Sequence, residues 1–227
     1  MATLDAPLQF PPALIRTVIP SVAQQIAGIP LWVIYHFKQT FTCNVHYENQ
    51  LYGCINNYLQ SIFPLSRRFM IIPQALVRRP LIDDEVPDDL RRVSFGSTGA
   101  LHESRILSGT EAGKLIPDFL VVKVTPRPGT ERAHRVLDVV EIKRDDETAE
   151  KADTQMKTYM EGLLAHTRDP NLRGFLVMGN SVRVYRIEVD KKEGPLIVGY
   201  PVSDMFNSPN GDIFTDQLFR SARDNWN

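Results

Sequence analysis

A single α/β domain with a helical N-terminal extension is predicted by three observations. Two apolar, strand-like segments, 115–120 and 137–144, alternate with two stretches of helical periodicity, 45–63 and 146–165. The chain has 227 residues and is 43% hydrophobic, enough to bury one sizeable core, so residues 1–227 are expected to form a single domain. No internal repeat or low-complexity tract interrupts it.

Residues 1–44 read as a helical N-terminal extension. Its first residues lack a basic region before an apolar one, and Ile26 to Phe37 is too short and proline-interrupted to span a bilayer. The expectation is no membrane partner and an intracellular location, cytoplasmic or nuclear. From Val45 to Phe63, Glu48, Leu51, Tyr52, Ile55, Tyr58, Leu59 and Ile62 recur at three- and four-residue steps, one stripe of an amphipathic helix. Phe69 to Val77 is apolar enough for a strand, and Pro73 marks it as an edge or a bulge because it lacks a ladder donor. Residues 83–99 combine acids, Pro87, Gly96 and Gly99 without apolar periodicity, which predicts an extended or mobile segment open to limited proteolysis.

The segments around Asp118 and Glu141 are expected to pair as an antiparallel hairpin. The midpoint between these two residues falls between Gly129 and Thr130, inside the turn-forming run Thr125-Pro126-Arg127-Pro128-Gly129-Thr130, so the register brings Asp118 beside Glu141. Asp146 is a candidate cap for a helix reaching about Ala165, with Met156, Tyr159, Met160, Leu163 and Leu164 on its core face and Gln155 at the border of that face. Gly174 to Met178 and Val182 to Ile187 read as a hairpin around Gly179-Asn180, and Ile213 to Arg220 as a last short helix.

Chemistry is concentrated at Asp118, Glu141 and Lys143. Strand alternation puts Glu141 and Lys143 on the face that carries Val139, about 7 Å apart, where core side chains would otherwise sit. A second acid-x-Lys match, Asp190-Lys191-Lys192, lies in a polar run between Glu188 and Gly194 that reads as a solvated turn. Glu48 is a third carboxylate. On the buried side of its helix it needs a partner or a metal; at the helix start it is instead favoured by the dipole. The cysteines, Cys43 and Cys54, lack metal-ligand spacing and suit reduced thiols, and the five histidines are scattered, so no zinc site is expected. A formal charge of -1 gives no bulk electrostatic pull toward nucleic acid, but Arg67-Arg68, Arg78-Arg79, Arg91-Arg92 and Lys143-Arg144 supply local positive charge.

In this order and context the residues resemble the PD-(D/E)xK nuclease superfamily, whose core is helix, three-stranded meander, helix, strand. Pro117-Asp118 and Glu141-x-Lys143 match its central motif, Glu48 stands on the preceding helix, and Gln155-x-x-x-Tyr159 looks like the Gln-x-x-x-Tyr element of the RecB-like branch. The resemblance runs from about Val45 to Ile187, leaving 1–44 as an extension and 79–113 as an insertion. It implies an α/β restriction-endonuclease-like core, a central mixed sheet flanked by helices, and a metal-dependent nuclease acting on nucleic acid, DNA before RNA, and leaving a 5'-phosphate. Mg2+ or Mn2+ would be held by Asp118, Glu141, the carbonyl of Ile142 and Glu48, directly or through water. Lys143 would position the nucleophile and stabilise charge on the phosphate, and Gln155 would orient substrate or metal-bound water. Two other readings stay open: an inactive nuclease-fold domain that binds nucleic acid or protein, and a structural ion-pair network of the carboxylates with Lys143.

Overall fold

The computed structural model describes residues 20–42, 49–74, 116–124, 135–143, 148–167, 169–190, 194–204 and 213–227. Glu48, the 79–113 insertion with its proposed cleavage-prone stretch, the turn at 125–130, Asp146 and Cys43 lie outside them.

Two short helices open the described chain. Helix α1 (Val22–Ile26) is closed at its start by a capping box: the Ser21 hydroxyl accepts from the Gln24 N–H at 3.2 Å, and the Gln24 side chain accepts from the Ser21 N–H at 2.9 Å. Helix α2 (Leu31–Thr42) buries Val33, Ile34, Phe37 and Phe41 on one face. Helix α3 (Asn49–Ile62) follows, and Leu51, Ile55, Tyr58, Leu59 and Ile62 of the expected stripe are buried in it. Cys54 is buried as well, its thiol donating to the Leu51 carbonyl at 3.1 Å and pushed up to about 11 by burial.

A seven-stranded mixed sheet forms the centre. Strands β1 (Phe69–Pro73), β2 (Phe119–Lys123), β3 (Arg135–Lys143), β4 (Arg173–Met178), β5 (Ser181–Asp190) and β6 (Gly194–Gly199) lie side by side in chain order, and the two-residue β7 (Ser203–Asp204) also pairs with β5. All pairings are antiparallel except β3 with β4, which run parallel and are joined by helix α4 (Ala149–Thr167). A parallel pair requires such a crossover, whereas β4 and β5 need only a two-residue turn, made by Gly179 at φ 51 and Asn180. Pro73 ends the edge strand β1, where no ladder donor is missed. β6 and β7 were not among the expected elements; β6 is the opposite edge and depends on β5 for its order.

The sheet separates two apolar clusters. On one face Phe119, Val121, Val140, Ile142, Phe175 and Val177 pack against α2, α3 and helix α5 (Ile213–Asp224). The Phe37 and Tyr58 rings stack there at 4.1 Å, with Phe214 at 6.2 Å from Phe37. Each such ring pair adds about 0.5 to 1.5 kcal/mol to its burial. Tyr58 also carries a polar link between layers, accepting from the Gln24 amide at 3.0 Å and sharing a hydrogen bond with Thr215. On the other face Leu120, Val139, Leu176 and Tyr185 meet Ala152, Met156, Tyr159, Met160 and Leu163 of α4. Gly174 allows that approach: a Cβ there would lie 2.6 Å from the Met160 sulfur and 2.9 Å from that of Met156. Asp153 pins α4 to β5, taking Arg183 at 2.7 Å, the Tyr185 hydroxyl at 2.6 Å and Lys157 at 2.8 Å. Against burial, these donors hold its carboxyl down at about 2. No helix among the described residues is long and apolar enough to cross a membrane.

One irregularity redirects side chains within β3. Val121 pairs with Asp138 and Val122 with Val136, so Leu137 is an extra residue, a β-bulge. Leu137 therefore joins the cluster of Val140 and Ile142 despite its odd number. Asp138 is fully buried under α5, and among the described residues neither of its carboxylate oxygens makes a hydrogen bond of good geometry, the Ser221 hydroxyl acting on it only weakly. Burial pushes its carboxyl up to about 7, against the attraction of the Arg173 charge and the Ser221 hydroxyl. The folded chain thus holds a proton that the unfolded chain has released between about pH 4 and pH 7, so stability falls as pH rises through that window. Asp138→Asn should melt increasingly above the parent as pH is raised from 4 to 8, reaching an advantage of about 2 to 4 kcal/mol. Melting curves across this range check it; a constant offset would exclude an ionisable Asp138.

Candidate active site

The β2–β3 pairing brings the two carboxylates together. Phe119 pairs with Val140, and the same register extended by one residue sets Asp118 opposite Glu141, as the sequence midpoint predicts. Asp118 itself lies just before β2 rather than within it. Pro117 precedes it, and the Asp118 N–H donates to the Glu141 side chain at 3.2 Å instead of joining the ladder. Its carbonyl still accepts from Gln74 N–H at 2.8 Å, and Gln74 turns there with φ 48.

The two strand ends hold each other reciprocally. While Asp118 N–H binds Glu141, the Ile142 N–H donates to Asp118 Oδ2 at 2.7 Å. Lys143, on the same face as Glu141, places its ammonium 2.8 Å from Glu141 Oε1, and both side chains are largely buried. Desolvation is the dominant effect on both acids. Burial raises the Asp118 carboxyl against hydrogen bonds from Tyr52 and Ile142 and the charge of Lys143. Burial, reinforced by the Asp118 charge, pushes Glu141 up to about 7 despite Lys143. With both acids ionised, one ammonium would leave a negative charge over in a dry setting, so burial disfavours their joint ionisation.

Helices close the site from both layers. Tyr52, on the same helix stripe as Leu51 and Ile55, donates its hydroxyl to Asp118 Oδ1 and sets its ring edge-on to Phe119 with centroids 5.5 Å apart. From α4, the Gln155 amide donates to the Tyr159 hydroxyl at 2.5 Å, and that hydroxyl donates to the Ile116 carbonyl at 3.2 Å. The pair thus grips the backbone two residues before Asp118. Burial, followed by the Glu141 charge, pushes Tyr159 up to about 12, so it stays a neutral donor.

Among the expected site residues, Asp118, Glu141 and Lys143 therefore converge, Ile142 takes part through its N–H, and Gln155 acts on Tyr159 rather than on the carboxylates. Glu48 is not among the described residues. No group of three or more His, Cys, Asp or Glu side chains suited to a metal occurs among the described residues. Tyr52 is the contributor that periodicity concealed: a tyrosine in an apolar stripe counts as core, yet its hydroxyl needs a partner when buried. In the sequence it stands four residues after Glu48 within the same expected stripe.

Tyr52→Phe keeps the ring against Phe119 and deletes one donor from Asp118. It should lower stability by about 1 to 3 kcal/mol, the cost of a hydrogen bond to a charged group. Urea denaturation with an unchanged m-value would measure it, and Tyr52→Leu should cost more by also losing the ring contact. No family model, no curated protein and no solved structure matches the chain.

Proposed function

We propose that the chain is a metal-dependent nuclease with a restriction-endonuclease-like core, hydrolysing phosphodiester bonds of nucleic acid at Asp118, Glu141 and Lys143. The observation that carries this reading is the convergence of two buried carboxylates and an ammonium at the ends of β2 and β3. The order of elements supports it: helix α3, the antiparallel β1–β2–β3 meander, helix α4, then β4 parallel to β3.

The donor set suits a hard divalent cation. Asp118 and Glu141 offer oxygen ligands, burial disfavours their joint ionisation, and a cation would relieve the charge that Lys143 leaves unbalanced. Mg2+ or Mn2+ would be held by these carboxylates with the Ile142 carbonyl and Glu48, and when bound it would activate water and neutralise charge on the phosphate. The protein's own groups do the positioning. Tyr52 and the Ile142 N–H fix the two Asp118 oxygens, Tyr159 with Gln155 fixes the approach of the chain to Asp118, and Lys143 offers a cation beside the reacting phosphate. The acceptor strand would be DNA in preference to RNA.

A panel of labelled linear, circular, single-stranded and duplex substrates tests the reading. Cleavage is expected with magnesium or manganese, absent with chelator and in Asp118→Asn, and cutting of a closed circle would establish internal attack. Absence of cleavage on every substrate, together with calorimetry showing no Asp118-dependent metal binding, would exclude a nuclease. A protein that still bound oligonucleotides would then be a non-catalytic binding domain.

The close Lys143–Glu141 pair favours a second reading, in which the charges are purely structural. The two readings separate at Lys143→Ala. Removing one partner of a buried pair costs about 3 to 5 kcal/mol, so the metal-free variant should melt well below the parent at neutral pH. At a metal site, magnesium should restore much of that loss while cleavage stays depressed by orders of magnitude. In a structural network, magnesium should leave the melting temperature unchanged.

A further inference from the structure

Positive charge gathers at the other end of the sheet. Lys123 closes β2 five residues from Asp118, about 17 Å along the strand, and pairs across to Phe69 and Arg135. Its ammonium is buried, among the described residues without a carboxylate within 4.0 Å, donating to the Arg67 carbonyl at 2.9 Å and the Asn225 carbonyl at 2.6 Å and lying 4.5 Å from the Phe69 ring centroid. These bonds tie the C-terminal residues to the entry of β1. Arg67 then stacks its guanidinium over the Trp226 ring at 5.0 Å, and Arg68 follows with φ 61. Both arginines are exposed, and among the described residues neither has a carboxylate within 4.0 Å. The neighbouring cations are matched: Arg135 with Asp169, and Arg173 and Arg223 with Asp224. Among the described residues, Lys123, Arg67 and Arg68 thus stand without a carboxylate, in a chain of net charge -1.

We propose that Arg67, Arg68 and Trp226 form a second contact surface for nucleic acid, remote from Asp118 and Glu141, that grips the phosphate backbone. Exposed guanidinium groups present paired donors that match phosphate oxygens, and a planar guanidinium already seated on an indole extends a stack against which an unpaired base can lie. An acidic peptide would use the charges but not the stack. Burial and repulsion from Arg68 and Arg67 lower the Lys123 ammonium below its ordinary value, as expected where positive charge is in excess and an anion would be welcome. The proposal rests on the nuclease reading for the identity of the polyanion.

Binding is measured without turnover, in chelator, by fluorescence anisotropy of a labelled single-stranded DNA over a range of salt concentrations, comparing the full chain with Arg67→Ala/Arg68→Ala. The variant should bind at least tenfold more weakly. Its slope of log affinity against log salt should be shallower by about 1.4, since each phosphate contact on a single strand contributes about 0.7. Arg67→Lys/Arg68→Lys should keep most of the slope. A variant that binds DNA like the parent, or loses a poly-glutamate peptide but not DNA, overturns the proposal. Should the double variant misfold, a second readout remains. The chain has two tryptophans, so Trp32→Phe leaves Trp226 as the only indole, and DNA should quench it. Unchanged fluorescence at saturating DNA overturns the proposal too. Because no metal is present, loss of binding here is distinct from failure of metal-dependent cleavage, which would count against the nuclease reading alone.

Discussion

The register between β2 and β3 is the constraint on which the candidate site depends. Two side chain to main chain bonds, Asp118 to the Ile142 N–H and Glu141 to the Asp118 N–H, fasten the ends of these strands to each other. Each carboxylate is thereby used as a structural acceptor and, in the same act, is brought within reach of the other. A one-residue slip would turn Glu141 and Lys143 to the α2, α3 and α5 face and strand both charges in an apolar layer. The geometry that defines the site and the geometry that closes the sheet are the same set of bonds.

Such an arrangement is costly in the metal-free state. Two neighbouring acids are dried by α3 on one side and α4 on the other, and among the described residues one ammonium, that of Lys143, answers them. The surrounding helices supply donors rather than apolar contact at these points: Tyr52 from one layer, Tyr159 with Gln155 from the other. Those hydroxyls keep polar groups satisfied while leaving the negative charge uncancelled. A fold selected for stability alone would place a hydrophobic pair there, as it does one step earlier at Leu120 and Val139.

Much of this was legible in the sequence because it depends on periodicity. Period two placed Glu141 and Lys143 on the face of Val139, and an antiparallel pairing centred between 118 and 141 anticipated the alignment of Asp118 with Glu141. Period 3.6 gave the buried faces of α3 and α4, including Tyr159 with Gln155 at its border. Features set by contacts between distant segments were not legible. β6 is ordered by β5 rather than by its own pattern. Tyr52 is distinguished from its apolar neighbours only by what lies across from it, and Asp138 is buried by α5, which is far away in sequence.

The bulge at Leu137 divides β3 into two parts that differ in how they tolerate change of length. On the Glu141 side the pairing is fixed by charge and by hydrogen bonds to side chains. On the Arg135 side an extra residue has already been absorbed, and the ladder resumes beyond it in a shifted register. Insertions and deletions accepted during descent should therefore collect between the bulge and the 125–134 connection, since a change there leaves the alignment of Asp118 with Glu141 intact. Over evolutionary time the strand would behave as a ruler read from one end only, with its zero mark at the carboxylates.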